Sequence, residues 1–296
     1  MTAELVLIHG RSQHDRNPAE LEQQWISSLK KGLAASSLEL CLPDDKIHFV
    51  YYGDTLADLV AGVKPGTIAD VIIKGEGDQN EAEKQFQAAI VEELRQQIGI
   101  SDDEVKECLS VESVEMGALN RRWVQAILEA IDHHVPGASG LSLALFTRDV
   151  YQYLRNPGIR DAIENGVRRA IKPGVPAVVV GHSLGSVVAY NVLKREGNHG
   201  GWSIPLLVTL GSPLAVGAIR QALTPNHFPE SVSSWFNAMD DDDVVSLYPL
   251  DQKHFPLDRE IENHTGVDNW TKDKHGIEGY LGDPIVARKI HEVCCT

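Results

Sequence analysis

The chain has 296 residues and a formal net charge of −15 at pH 7, from 27 Lys and Arg against 42 Asp and Glu. That balance argues against nucleic acid or an anionic membrane as partner, because binding to phosphate depends on clustered cations that release counterions. With 43% apolar residues the chain can bury a sizeable core, as soluble globular proteins do.

The first residues, Met1-Thr2-Ala3-Glu4, carry no basic cluster and lead into the apolar run Leu5-Val6-Leu7-Ile8, too short for a signal peptide. No apolar stretch approaches the ~18 to 20 residues of a membrane-spanning helix. The four cysteines, Cys41, Cys108, Cys294 and Cys295, are too few and too irregular for a disulfide framework or a zinc ribbon. The expectation is a soluble protein of the reducing cytoplasm.

Residues 5–8 are the first of four short apolar runs bounded by turn residues, the pattern of buried parallel strands; the others are 47–52, 175–180 and 204–210. A weaker fifth run covers 233–239. Between the first two, Asn17 can cap a helix that Pro18 opens and whose one face carries Leu21, Trp25 and Leu29. A second helix follows the third strand from Leu184 to about Arg195, and a third closes the chain from about Asp283 to Val293. Strands alternating with helices predict an α/β fold, a mostly parallel sheet flanked by helices.

From about Thr55 to Pro173 the pattern is helical instead, as in 81–98 and 120–131. So long a connection exceeds an ordinary one. The chain therefore divides into a core of residues 1–55 and 173–296 and a helical insertion of residues 56–172, expected to cap one end of the sheet. Within the insertion, residues 137–146 run from Gly and Ser into Leu141, Leu143, Leu145 and Phe146. This segment reads equally as a lid or substrate-pocket wall built from Leu141, Leu143 and Phe146, or as a loop entering a buried helix.

Gly181-His182-Ser183-Leu184-Gly185 follows directly on Ala177-Val178-Val179-Val180 and leads into a helix. A bare G-x-S-x-G arises by chance in roughly one chain in ten of this length; the strand before it and the helix after it make the signal specific. A sharp strand-to-helix turn strains the serine backbone, and glycines on both sides avoid collisions. Ser183 is the candidate nucleophile.

A serine hydroxyl needs a histidine base, and that base needs an acid to fix its tautomer. The 233–239 run ends in four aspartates, Asp240 to Asp243, before Val244-Val245. Among the downstream histidines, His275 lies on an apparent loop before the final helix; His264 is the runner-up, and His291 falls inside the helix pattern. An oxyanion needs two backbone N–H donors. One is Leu184, after the nucleophile; the other is placed in the loop His9-Gly10-Arg11-Ser12, with Arg11 as donor and His9 as a structural residue at the strand end.

These segments resemble the α/β-hydrolases of the lipase and esterase type. Leu7-Ile8-His9-Gly10 is similar to the family's oxyanion loop, 181–186 to its nucleophile elbow, and 207–214 to the strand after the nucleophile helix. Trp235-Phe236-Asn237 through Asp243-Val244-Val245 resembles a W-x-N-x-x-D-x-x-D-P-V pattern whose second aspartate is the triad acid. The resemblance implies Asp243 as the acid; Val244 stands where proline is usual, so a slip of one residue would implicate Asp242. Lys274-His275-Gly276 before Tyr280-Leu281 resembles the family's histidine loop. The likeness covers most of 1–55 and 173–293 but not the insertion, where substrate preference usually resides.

The resulting expectation is a serine hydrolase acting on a small carboxylic ester through Ser183, Asp243 and His275. The same residues would serve a thioesterase, an acyltransferase or a peptidase, and an idle hydrolase fold acting as an interaction module is the alternative of another class. No H-E-x-x-H, paired C-x-x-C or G-x-x-x-x-G-K occurs, so no metal, cofactor or nucleotide is expected. His133 and His134 are adjacent, which makes them poor co-ligands on a helix.

Overall fold

The computed structural model describes residues 3–10, 17–53, 81–109 and 120–295. Among these residues six strands form one sheet: β1 (Glu4–Ile8), β2 (Ile47–Val50), β3 (Pro176–His182), β4 (Ser203–Leu210), β5 (Val232–Ala238) and β6 (Glu262–His264). Their order is β2-β1-β3-β4-β5-β6 and every pair is parallel. The first five agree with the apolar runs. β6 was missed because it is three polar residues, Glu-Asn-His, at the sheet edge, with neither length nor hydrophobicity to mark it.

Because successive side chains on a strand point to opposite faces, the apolar strands feed two cores. Leu5, Leu7, Val178, Val180, Leu206 and Val208 pack on one face against α1 (Pro18–Ala35) and the later helices. Val6, Ile8, Val179 and Leu207 pack on the other. There they meet α2 (Glu81–Ile98), α3 (Asp102–Glu107), α4 (Arg121–His134), α5 (Gly140–Arg155), α6 (Pro157–Ala170) and α7 (Leu184–Glu196). The described part of 56–172 is thus continuous with the core on that face of the sheet. The short α8 (Gly217–Ala222) belongs there too, whereas α9 (Ile277–Gly282) and α10 (Pro284–Cys294) lie beside α1.

Three helices share one local start. Asn17, Asn156 and Asp283 each accept hydrogen bonds from the first-turn N–H groups, and Pro18, Pro157 and Pro284 follow them. A side-chain acceptor meets donors that have no helical partner, and proline loses nothing where no N–H is needed.

The cysteines form no framework among the described residues, but two of them pair. Cys41 and Cys295 form a disulfide with Cα atoms 5.8 Å apart. The fold brings the turn after α1 against the end of α10, a proximity that sequence spacing cannot reveal. Among the described residues no helix is long and apolar enough to cross a membrane, and no group of three His, Cys, Asp or Glu side chains could hold a metal ion.

At the start of β1, buried Glu4 accepts from Lys46 at 2.9 Å, His48 at 2.8 Å and Lys172 at 3.2 Å. Burial by itself would raise its pKa, but these donors hold it at about 2, below the usual 4.5. A carboxylate depressed in this way adds stability that is present above pH 4.5 and lost as pH falls toward about 2. Glu4→Gln should therefore lower Tm at neutral pH and flatten its decline through that window. Parallel melting curves for the two proteins between those pH values would refute the assignment.

Candidate active site

The order of the sheet reverses between β1 and β3, since β1 is followed by β2 on one side while β3 lies on the other. Ligands of open parallel sheets bind at such a switch point, outside the carboxyl ends of the strands. The ends here are Ile8 and His182, and the residues that follow are His9-Gly10 and Ser183.

Ser183 stands between β3 and α7 with φ 54° and ψ −126°, a conformation that L-residues rarely adopt. Its N–H donates to the Leu210 carbonyl at 3.0 Å, which ties the turn to β4. The glycines have steric reasons. A β-carbon at Gly181 would lie 2.7 Å from the Gly185 carbonyl oxygen, one at Gly185 would overlap the Ile8 carbonyl oxygen, and one at Gly10 would lie 2.9 Å from the Ser183 Cβ. The strained turn is therefore held by close backbone contacts at Gly181 and Gly185 and by the approach of Gly10 to the serine's own Cβ.

His275 and Asp243 meet across the sheet end. His275 Nδ1 lies 2.7 Å from Asp243 Oδ2, and Asp243 is buried. Its other partners are the Tyr280 hydroxyl, donating to Oδ2 at 2.6 Å, and the Val245 N–H, donating to Oδ1 at 2.9 Å. Burial opposes the charge on Asp243, but the positive charge on His275 and these donors outweigh it and hold the carboxyl below its usual range. Asp243 is thus an anion that takes Nδ1–H, which leaves Nε2 as the basic nitrogen of the ring.

Ser183, His275, Leu143 and Phe146 line one cavity of about 310 Å³, together with Gly10, Trp25 and His182. The Ser183 hydroxyl is buried and makes no hydrogen bond, so no bond to His275 is formed. Such bonds are often open in unliganded enzymes and tighten when substrate arrives. Leu184 opens α7 beside Ser183, and its N–H is among those that have no acceptor within a helix. Arg11 lies outside the described residues.

Leu141 is the pocket residue that the structure does not bring to the cavity. The N-cap Ser139 and, on α5, Ser142, Leu143 and Phe146 share the face at helical spacing that looks into it, while Leu141 turns aside to pack on the core. His264 is 3.4 Å from Asp283 and does not line the cavity. Asp242 is exposed. Buried Asp240 accepts from the Asp242 N–H at 2.8 Å and the Asn269 N–H at 2.6 Å, which moors the loop carrying His275. His9 accepts the Tyr52 N–H at 2.9 Å and has a structural place at the end of β1.

Three residues escaped the sequence reasoning. Tyr280 steadies the acid. Gly211, at φ 54°, is packed so that a β-carbon would lie 3.1 Å from both Asp243 Oδ2 and His275 Cε1. His182 donates from Nε2 to the His275 carbonyl at 2.8 Å, and its ring centre is 4.8 Å from that of His275. Burial, aided by the nearby positive charge of His275, lowers the His182 pKa to about 3, so it stays neutral beneath the catalytic candidate. Its position inside the G-x-S-x-G motif was its only signal.

No protein-family model, curated protein or solved structure matches the chain.

Proposed function

We propose that the protein is a serine hydrolase of the α/β-hydrolase type that cleaves small carboxylic esters. The observation that carries this reading is a serine held at φ 54° at a strand-to-helix turn, in one cavity with a histidine whose Nδ1 is paired to a buried carboxylate. The chain order Ser183, Asp243, His275 is that of the α/β-hydrolases.

In the reaction Ser183 Oγ attacks the ester carbonyl carbon while His275 Nε2 takes its proton. Asp243 stabilises the imidazolium and keeps Nδ1 protonated. The amides of Leu184 and Arg11 receive the negative oxygen, each donor contributing a factor of about 10² to 10³ to the rate. His275 then returns the proton to the leaving alcohol, and water, activated by the same nitrogen, releases the acid. Leu143, Phe146, Val244 and Val245 give the cavity apolar walls suited to an acyl chain.

The experiment is labelling of the intact protein with a fluorophosphonate, which phosphonylates only an activated serine. One equivalent should bind, and peptide mapping should find it on Ser183. An unlabelled protein would leave an idle fold as the reading; a label on another serine would move the active site.

A further inference from the structure

The cavity over Ser183 is a slot between two walls. One is the strap of residues 137–139 with the first turns of α5; the other is the loop of residues 271–276 with the start of α9. The walls meet at Gly137 and Lys272. Gly137 has φ 88°, and a β-carbon there would overlap the Lys272 carbonyl oxygen and stand 2.8 Å from its carbonyl carbon. Only glycine permits this approach, both for its positive φ and for want of space.

The walls differ in firmness. On the histidine side, the Asn269 N–H donates to Asp240 at 2.6 Å, its side-chain amide donates to the Gly276 carbonyl at 2.8 Å, and its Oδ1 accepts the Thr271 N–H at 3.1 Å. The Gly276 N–H closes the loop on Thr271 Oγ1 at 2.9 Å. The strap is tied within its own segment: the Ala138 N–H donates to the Val135 carbonyl at 3.1 Å, the Gly140 N–H to the exposed Asp132 carboxylate at 2.5 Å, and Ser139 accepts the Ser142 N–H at 3.2 Å and the Leu143 N–H at 2.9 Å. A side chain at position 137 would therefore push the strap outward before it moved His275.

We propose that the contact of Gly137 with Lys272 sets the width of the slot and restricts this enzyme to esters of short-chain acids. A volume near 310 Å³ is at the lower end of the roughly 300 to 1,000 Å³ of ligand sites. The inference rests on the esterase reading only for the nature of the occupant. The latch itself is a matter of packing.

The test separates the two. Fluorophosphonate labelling reports the esterase reading, while calorimetry with the N-methylamides of acetic, butanoic, hexanoic, octanoic and decanoic acids reports the slot without chemistry. Wild type should bind the butanoyl or hexanoyl amide best and the decanoyl amide about tenfold more weakly, since methylene contacts discriminate at this scale. Gly137→Ala should tighten binding of the decanoyl amide about tenfold relative to the acetyl amide, and on p-nitrophenyl esters the ratio of kcat/KM for decanoate to that for acetate should rise by a similar factor. Asp132→Ala loosens the strap without adding bulk and should shift the preference in the same direction, even if Gly137→Ala fails to fold. The proposal is overturned by a chain-length profile unchanged in Asp132→Ala and in any folded Gly137→Ala, by a uniform loss of kcat across all lengths, or by a wild type that binds none of the amides. Shifted amide binding without labelling would keep the latch and discard the esterase.

Discussion

Ser183→Ala is expected to abolish hydrolysis of short p-nitrophenyl esters, with a loss of more than about a thousandfold in kcat, and to leave the fold intact. Loss of a nucleophile in a triad costs on the order of 10⁶, since histidine and acid have no role without it. Stability should not follow. The Ser183 hydroxyl is buried without a hydrogen-bond partner, so its removal takes away an unsatisfied polar group and not a contact. Tm should therefore stay level or rise slightly, a result that sets this serine apart from its neighbours. Ser186 donates to the Ser183 carbonyl at 2.6 Å and lies 2.7 Å from Ser212 Oγ; there alanine would cost stability. Ser183→Ala with more than about a thousandth of wild-type kcat would place the nucleophile elsewhere.

What could be read from sequence follows from how local each feature is. Strands β1, β3 and β4 are covered by helices on both faces, so nearly every residue must be apolar and the runs stand out. The turn at Ser183 is set within five residues, by glycines whose crowding is with the adjoining turn and strand. Asp243 and His275 were reachable only through chain order and resemblance, because their 2.7 Å contact joins loops that are 32 residues apart. Tyr280, Gly211 and His182 act through tertiary contacts that leave no periodic trace. The same holds for Cys41 and Cys295, 254 residues apart, and for the approach of Gly137 to Lys272. Leu141 shows the limit from the other side: composition marked an apolar segment, but only the helix phase decides which of its residues face the cavity.

Among the four adjacent aspartates, Asp243→Asn should be the variant that destroys activity, by at least a hundredfold and up to about 10⁴ in kcat, the cost of a mis-set histidine tautomer. Asn at this position keeps the shape: its one oxygen can take the Val245 N–H, and its N–H₂ then stands where Oδ2 was, facing the Tyr280 oxygen and the His275 ring, so the fold should survive. What it cannot do is accept Nδ1–H without presenting its own N–H₂ to the ring in competition, which shifts the proton to Nε2 and leaves no base for Ser183. Asp241 and Asp242 are exposed, and their Asn variants should stay within about 0.5 kcal/mol of wild type in stability and near it in rate. Asp240 requires a different signature. Its carboxylate is buried and holds both the Asp242 and Asn269 N–H groups, so Asp240→Asn weakens two charge-assisted bonds and should lower Tm by several degrees while kcat falls less than at Asp243. Melting temperature and kcat measured side by side on all four variants thus separate a mooring residue from a triad acid. A nearly unaffected Asp243→Asn beside an inactive but fully stable Asp242→Asn would mean that the loop holds its acid one residue earlier, and that the 2.7 Å contact of His275 with Asp243 is not the catalytic one.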